Sequence, residues 1–142
     1  MLREGVQVLG DLPLAIDPDE VLRFQGYKKG VDVPTADVRA LLDEALAAGA
    51  DIVGMNCGRG PDRAIVIIRE MRQVTDAPLV AYPNAGLPIT TGDTVTYELG
   101  PEAMAREYPA LLDAGVNIVG ACCGSNPEHI RLIAQAVRSH KR

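Results

Sequence analysis

The sequence lacks several features that would assign it to a large class of proteins. No apolar run approaches the roughly 18 residues of a membrane-spanning helix, and residues 1–10 carry no apolar signal-peptide segment. Its 14 Lys and Arg residues form no basic cluster and are outnumbered by 19 Asp and Glu, which gives a net charge of −5. Nucleic-acid binding needs basic side chains gathered on one face. We therefore expect a cytoplasmic protein that acts on a small molecule, with neither nucleic acid nor a membrane as a partner.

The chain is also short and poor in cysteine. Its 142 residues are enough for one domain but not for a complete eight-unit α/β barrel, which takes about 250 residues. Cys57, Cys122 and Cys123 are the only cysteines, an odd number without a secretory signal, so a disulfide framework is not expected. Two interpretations are left open: three buried cysteines that act as small hydrophobic residues, or thiols used for catalysis or metal binding.

From residue 35 onward, helical periodicity alternates with short apolar runs. We predict helices at 35–48, 61–73, 101–114 and 127–139, and strands at 51–56, 77–82 and 116–121. Residues 89–100 are predicted to form a long loop. This alternation is typical of βαβ units with a parallel sheet, so the predicted fold class is α/β. We assign 35–142 to this domain and 1–34 to a poorly defined, loop-rich segment with two candidate strand pieces.

An internal repeat places the cysteines in related positions. Residues 48–61 and 114–127 share Ala, Gly, Ile-Val-Gly, Cys-Gly and Pro at a constant offset of 66. Cys57 and Cys123 therefore occupy equivalent places, each just beyond the carboxyl end of a predicted strand. Because ligands bind at that edge of α/β sheets, the thiols are expected to converge there.

Three converging thiols suit a tetrahedral zinc ion with one open position, the arrangement of catalytic zinc. Cys122 and Cys123 are adjacent, so they can share a metal only if the backbone turns between them, which Gly120 and Gly124 would permit. An iron–sulfur cluster fits less well, because a fourth cysteine is missing. For His129 we favour an exposed or helix-capping role over ligation. A substrate thiol bound at the open position would lose its proton and remain nucleophilic, ready to attack a methyl group.

Three motifs together resemble the homocysteine S-methyltransferase family. They are Met55–Gly58, the Tyr-Pro-Asn-Ala-Gly-Leu-Pro run at 82–88, and Gly120–Ile130 with its Cys-Cys-Gly. The resemblance covers roughly residues 30–137 and implies about half, the carboxyl-terminal half, of a (β/α)8 TIM barrel. It implies zinc bound by Cys57, Cys122 and Cys123, homocysteine or a similar thiol as substrate, and methionine as product. Asn56 and Asn84 would line the substrate pocket, or equally would stabilise turns.

The chain departs from the family pattern in two ways. Ala121 replaces a second glycine, and the early strands that bear the acidic residue for the substrate's amino group have no match. A half-barrel leaves apolar strand faces open, so we expect a homo-oligomer or a complementary amino-terminal half-barrel as partner. The methyl donor is not determined, and a corrinoid protein is among the candidates.

Two alternatives to a catalytic module remain. The chain could be a metal-binding half-barrel without catalysis of its own, as a subunit or truncated fragment that needs an amino-terminal partner. It could also be a generic α/β domain that binds an anion at Gly58-Arg59-Gly60, although these residues lack the Lys-Ser/Thr of a P-loop.

Overall fold

A computed structural model of the chain describes residues 35–140, with side chains from residue 39 onward. The predicted segment 1–34 lies outside these residues. The elements are α1 (Thr35–Ala47), β1 (Val53–Cys57), α2 (Pro61–Arg72), β2 (Leu79–Pro83), β3 (Pro88–Thr91), β4 (Thr94–Tyr97), α3 (Pro101–Asp113), β5 (Ile118–Val119) and α4 (Pro127–Ser139). None of the helices described in this range is long and apolar enough to cross a bilayer. The predicted helices are confirmed to within one residue at each end.

Three strands form a parallel sheet in the order β1-β2-β5, as the βαβ pattern predicts. Val53 pairs with Leu79 at one end of β1, and Cys57 pairs with Pro83 at the other. Val80 of β2 pairs with Ile118 of the short strand β5. The parallel α/β class is confirmed, and the half-barrel arrangement stays a prediction.

Residues 89–100 do not form the long loop that we predicted. Strands β3 and β4 make an antiparallel hairpin in which Thr91 pairs with Thr94. The two-residue Gly92-Asp93 connection allows this turn because Gly92 has a φ of 59°. Threonine and valine in the flanking strands favour extended backbone. The Gly-Asp pair between β-branched residues thus indicates a hairpin. The loop prediction was wrong because it was based on the polarity of the segment.

Helices and sheet pack around one core on one side of the sheet. Leu79 and Ala81 of β2 are fully buried and belong to the same core as Ile68 of α2 and Leu111 of α3, which are also fully buried. The alternate positions of the strands face the other way, and there Tyr82 and Ile118 each remain 39% exposed. Since parallel sheets normally have both faces covered, residues 35–140 leave one apolar sheet face open.

Candidate metal centre

The three cysteine sulfurs meet at the carboxyl edge of the sheet. Cys57 ends β1, whereas Cys122 and Cys123 follow β5 on the far side of β2. The Sγ atoms of Cys57 and Cys122 are 3.1 Å apart, and those of Cys122 and Cys123 are 3.8 Å apart. All three sulfurs lie within 4.8 Å of one another. The predicted convergence of the thiols is confirmed.

Left-handed backbone turns direct the thiols toward each other. Cys57 has a φ of 60° and is the one non-glycine residue with positive φ among residues 35–140. Such a conformation costs about 1–3 kcal/mol and is typical of functional sites. Gly58 and Gly124 continue the two turns with φ of 75° and 80°. Gly120 is needed for a different reason, because a Cβ there would lie 2.6 Å from the Tyr82 ring.

The residues at the carboxyl end of the central strand β2 form hydrogen bonds with both cysteine segments. The backbone N–H of Asn84 donates to Cys57 O (3.2 Å), and that of Ala85 donates to Cys123 O (2.9 Å). In return, Cys122 N–H donates to Pro83 O at 2.9 Å. We call residues 83–85 the central strap. Cysteines from separate strands are held in one place because this strap binds both.

The two asparagines of the predicted substrate pocket lie in different surroundings. Asn84 is 1% exposed; its Oδ1 accepts the Cys123 N–H at 3.1 Å and its Nδ2 donates to Gly58 O at 2.9 Å. Asn56 is exposed, and its Nδ2 lies 3.4 Å from Cys57 Sγ as a donor. Asn84 thus stabilises both cysteine turns, and the contact of either residue with substrate stays a prediction.

The thiols influence one another's ionisation. Burial, followed by the hydrogen bond to Cys122 and repulsion from the neighbouring thiols, raises the pKa of Cys57 to about 12. Burial acts in the same direction on Cys122, but hydrogen bonds from Cys57 and Cys123 outweigh it and lower the pKa of Cys122. Without a cation the cluster therefore favours negative charge on Cys122 while Cys57 stays protonated.

The donor set fits a soft divalent cation. Sulfur ligands at about 2.3 Å from a tetrahedral zinc ion lie a little under 4 Å apart, close to the Cys122–Cys123 separation of 3.8 Å. Within residues 35–140, these cysteines form the one cluster of at least three His, Cys, Asp or Glu side chains able to share a metal. Among the described residues, this cluster offers three protein ligands, all of them cysteine sulfurs.

His129 caps helix α4, as predicted, but it is not exposed. Its side chain accepts the Asn126 N–H while the Asn126 side chain accepts the His129 N–H, a reciprocal capping box. Only 3% of the residue is exposed. Both ring nitrogens of His129 contact Asn126 or Leu99 O, and the expectation that it is not a metal ligand stays a prediction.

A cavity of about 560 Å³ opens beside the Cys57 turn. Arg59 and Arg63 line it together with three carboxylates, those of Asp62, Glu98 and Glu107. The three carboxylates would repel an anion that the two arginines attract. The cavity therefore offers no support for the alternative in which an anion binds at Gly58-Arg59-Gly60.

Comparison with known proteins decides the family. The model of the homocysteine S-methyltransferase family matches residues 28–137. The chain belongs to the homocysteine S-methyltransferase family. Within this family it is similar to the methionine synthases of Mycobacterium tuberculosis, 33% identical over 108 residues, and Mycobacterium leprae, 33% identical over 103 residues. These matches cover 75% and 72% of this chain but only 9% and 8% of the two synthases.

Solved structures support the family fold. The metallated form of the homocysteine methyltransferase MmuM from Escherichia coli has a TM-score of 0.53 at 22% identity, covering 72% of this chain and 29% of that one. The apo form of the same enzyme has a TM-score of 0.52 at 24% identity, covering 75% and 34%. This homocysteine S-methyltransferase family member therefore spans about a third of the enzyme whose fold it resembles.

Proposed function

We propose that the chain is a zinc-dependent module that activates homocysteine, or a similar small thiol, for methyl transfer, with methionine as the product. The observation that carries the proposal is the meeting of three cysteine sulfurs within 4.8 Å at the carboxyl edge of the sheet. Family membership supports it, since the matched region at 28–137 includes every cysteine. The names of the similar mycobacterial and E. coli proteins specify methionine synthesis and homocysteine methylation.

Cys57, Cys122 and Cys123 would hold the zinc ion. When bound, zinc would supply a coordination position at which a substrate thiol loses its proton at neutral pH yet keeps its nucleophilicity. In the transfer, a new bond forms between the substrate sulfur and the methyl carbon while the bond from that carbon to the donor breaks. The thiol proton leaves to solvent.

The chain's own residues would position this chemistry. The central strap fixes the two cysteine turns, so the sulfurs do not need to be gathered when the metal arrives. Asn56 is exposed beside Cys57, where its amide could contact a bound substrate. Cys123 is also exposed, which leaves the cluster accessible to a methyl donor from outside. A methylated corrinoid protein is one donor that could approach in this way.

A second candidate is a metal-binding subunit that is inactive until a complementary half-barrel covers it. The open sheet face, with Tyr82 and Ile118 each 39% exposed, favours this candidate. Further βα units, from a second copy or another polypeptide, would bury this face and supply the missing part of the pocket. Light scattering tests the association: a stable monomer at micromolar concentration would contradict it.

Zinc content and methyl transfer test the proposal in sequence. We expect about one equivalent of zinc in chain purified under reducing conditions, and loss of that zinc in Cys57→Ser. Ser125→Ala is the matched control, because its hydroxyl lies in the same loop but contacts Met104 Sδ rather than a cysteine. Wild-type chain without zinc would refute the proposal.

Methyl transfer is then measured by mass spectrometry of methionine formed from homocysteine and isotopically labelled donors. The donors are a methylcorrinoid, an S-methyl sulfonium compound and a betaine. Product that requires Cys57 supports the catalytic module. Zinc binding without product from any donor, even with a candidate amino-terminal half added, favours the inactive subunit.

A further inference from the structure

The turn that carries Cys122 and Cys123 lies inside a closed circuit of hydrogen bonds. Ala85 of the central strap donates its N–H to Cys123 O at 2.9 Å, and Leu99 donates its N–H to Ala85 O at 3.0 Å. Leu99 O in turn lies 3.0 Å from Nε2 of His129. His129 Nδ1 lies 3.2 Å from the Asn126 N–H and 2.9 Å from Asn126 Oδ1, and these contacts return the circuit to the chain just beyond the cysteines.

The imidazole of His129 is the one side chain in this circuit, and both of its nitrogens are used. A carbonyl oxygen can only accept, so Nε2 must carry the proton that it shares with Leu99 O. The residue is buried, so the bond to Leu99 O is shielded from water.

Leu99 matters because its segment also covers the cysteine turn. The ring of Tyr97 packs against Gly124 so closely that a Cβ at Gly124 would clash with it. Glu98 Oε2 accepts the Leu87 N–H at 3.2 Å, which fastens the same segment to the residues beyond the central strap. The histidine therefore connects helix α4 to a segment that contacts the metal-binding turn from the outside.

We propose that His129 is a positioning residue of the metal centre: its Nε2 bond to Leu99 O closes the circuit that holds the Cys122–Cys123 turn in its metal-binding shape. This role goes beyond helix capping, which involves only Nδ1. It rests on the proposed function in one respect, that the three thiols bind zinc.

Two substitutions separate capping from positioning. Glutamine at this position of a helix preserves the reciprocal cap, because its side chain can reach the Asn126 N–H. His129→Gln therefore keeps the cap and loses the bond to Leu99, whereas His129→Ala loses both. Ile133→Val is the matched control, since Ile133 is buried one turn further along α4 and belongs to the hydrophobic core.

The experiment uses the full chain and the metals alone. Zinc affinity is measured by competition with a chromophoric chelator, cobalt(II) binding by its thiolate absorption bands, and metal-free stability by urea unfolding. We expect His129→Gln to weaken zinc binding by about 10- to 100-fold and to alter the cobalt spectrum. His129→Ala should match that loss and unfold at lower urea. Ile133→Val should lower the unfolding midpoint yet keep the wild-type zinc affinity and spectrum.

The outcomes distinguish this inference from the proposed function. If wild-type chain binds zinc and His129→Gln binds it equally well with the same cobalt spectrum, the positioning role is overturned and the proposed function stands. If Ile133→Val loses as much affinity as His129→Gln, the effect is one of general stability and the role is again overturned. Wild-type chain that binds no zinc overturns both.

Discussion

Asn84→Ala would remove the side chain that joins both cysteine turns inside the protein. The amide accepts a hydrogen bond from the Cys123 N–H at 3.1 Å and donates one to Gly58 O at 2.9 Å, and the residue is 1% exposed. Alanine would leave that N–H and that carbonyl without these partners. A buried group left without its partner costs about 1–3 kcal/mol, and the Gly58 carbonyl contact is buried whereas that of the Cys123 N–H is only partly buried. We therefore expect the free energy of unfolding of the metal-free chain to fall by about 1–4 kcal/mol.

Zinc affinity should fall as well, by about 10- to 100-fold, because ligand-orienting partners contribute at that level. Urea unfolding under reducing conditions and zinc competition measure the two effects. Asn117→Ala is the control: its Oδ1 accepts the Leu79 N–H at the opposite end of the sheet, so stability should fall while zinc affinity stays within about twofold. An Asn84→Ala chain as stable as the wild type would refute the reasoning and favour the alternative prediction, that Asn84 chiefly lines the substrate pocket.

Further predictions concern pH, the far end of the sheet and a close contact. Because the pKa of Cys57 is raised to about 12, zinc must displace the proton of this thiol when it binds. The affinity for zinc should therefore rise about tenfold or more per pH unit near neutrality. Competition titrations that give the same zinc affinity at every pH would contradict this. Arg72 donates hydrogen bonds to the carbonyl oxygens of Thr75, Ala77 and Gly115. Arg72→Lys should therefore lower the free energy of unfolding, measured in urea, by about 2–4 kcal/mol without altering zinc affinity. A decrease of less than about 1 kcal/mol would argue against this role of Arg72. Gly120→Ala should lower the free energy of unfolding by about 1–2 kcal/mol, because the new Cβ would clash with the ring of Tyr82. Adding Tyr82→Ala should recover part of that stability. If the double variant recovers none, the ring is not the cause.

Convergence of the thiols could be predicted because it depends on the internal repeat and on the alternation of strands and helices, both of which can be read from the sequence. The 66-residue repeat put Cys57 and Cys123 at equivalent strand ends, and parallel strands bring such ends to one edge of the sheet. The helices were predictable for the same reason, since a proline marks the first residue of α2, α3 and α4.

What the sequence did not reveal depends on contacts between distant segments. The burial of Asn84 follows from two backbone groups that lie 26 and 39 residues away along the chain. The second bond of His129, to Leu99, spans 30 residues and has no signal in the Pro-Glu-His-Ile run. The left-handed backbone of Cys57 was equally hidden, because a cysteine before a glycine gives no sign of which residue carries the turn.

That backbone limits which amino acids could ever stand at position 57. A φ of 60° is readily adopted by glycine, and by asparagine and aspartate among side-chain-bearing residues, whereas valine, isoleucine and threonine would be strongly disfavoured. Saturation mutagenesis scored for soluble expression alone should therefore enrich Gly, Asn and Asp codons here. If the proposed function holds, a selection for growth on methyl transfer would have to retain Cys against that folding preference, so the codon spectrum at this one site would reveal which pressure acts on the chain.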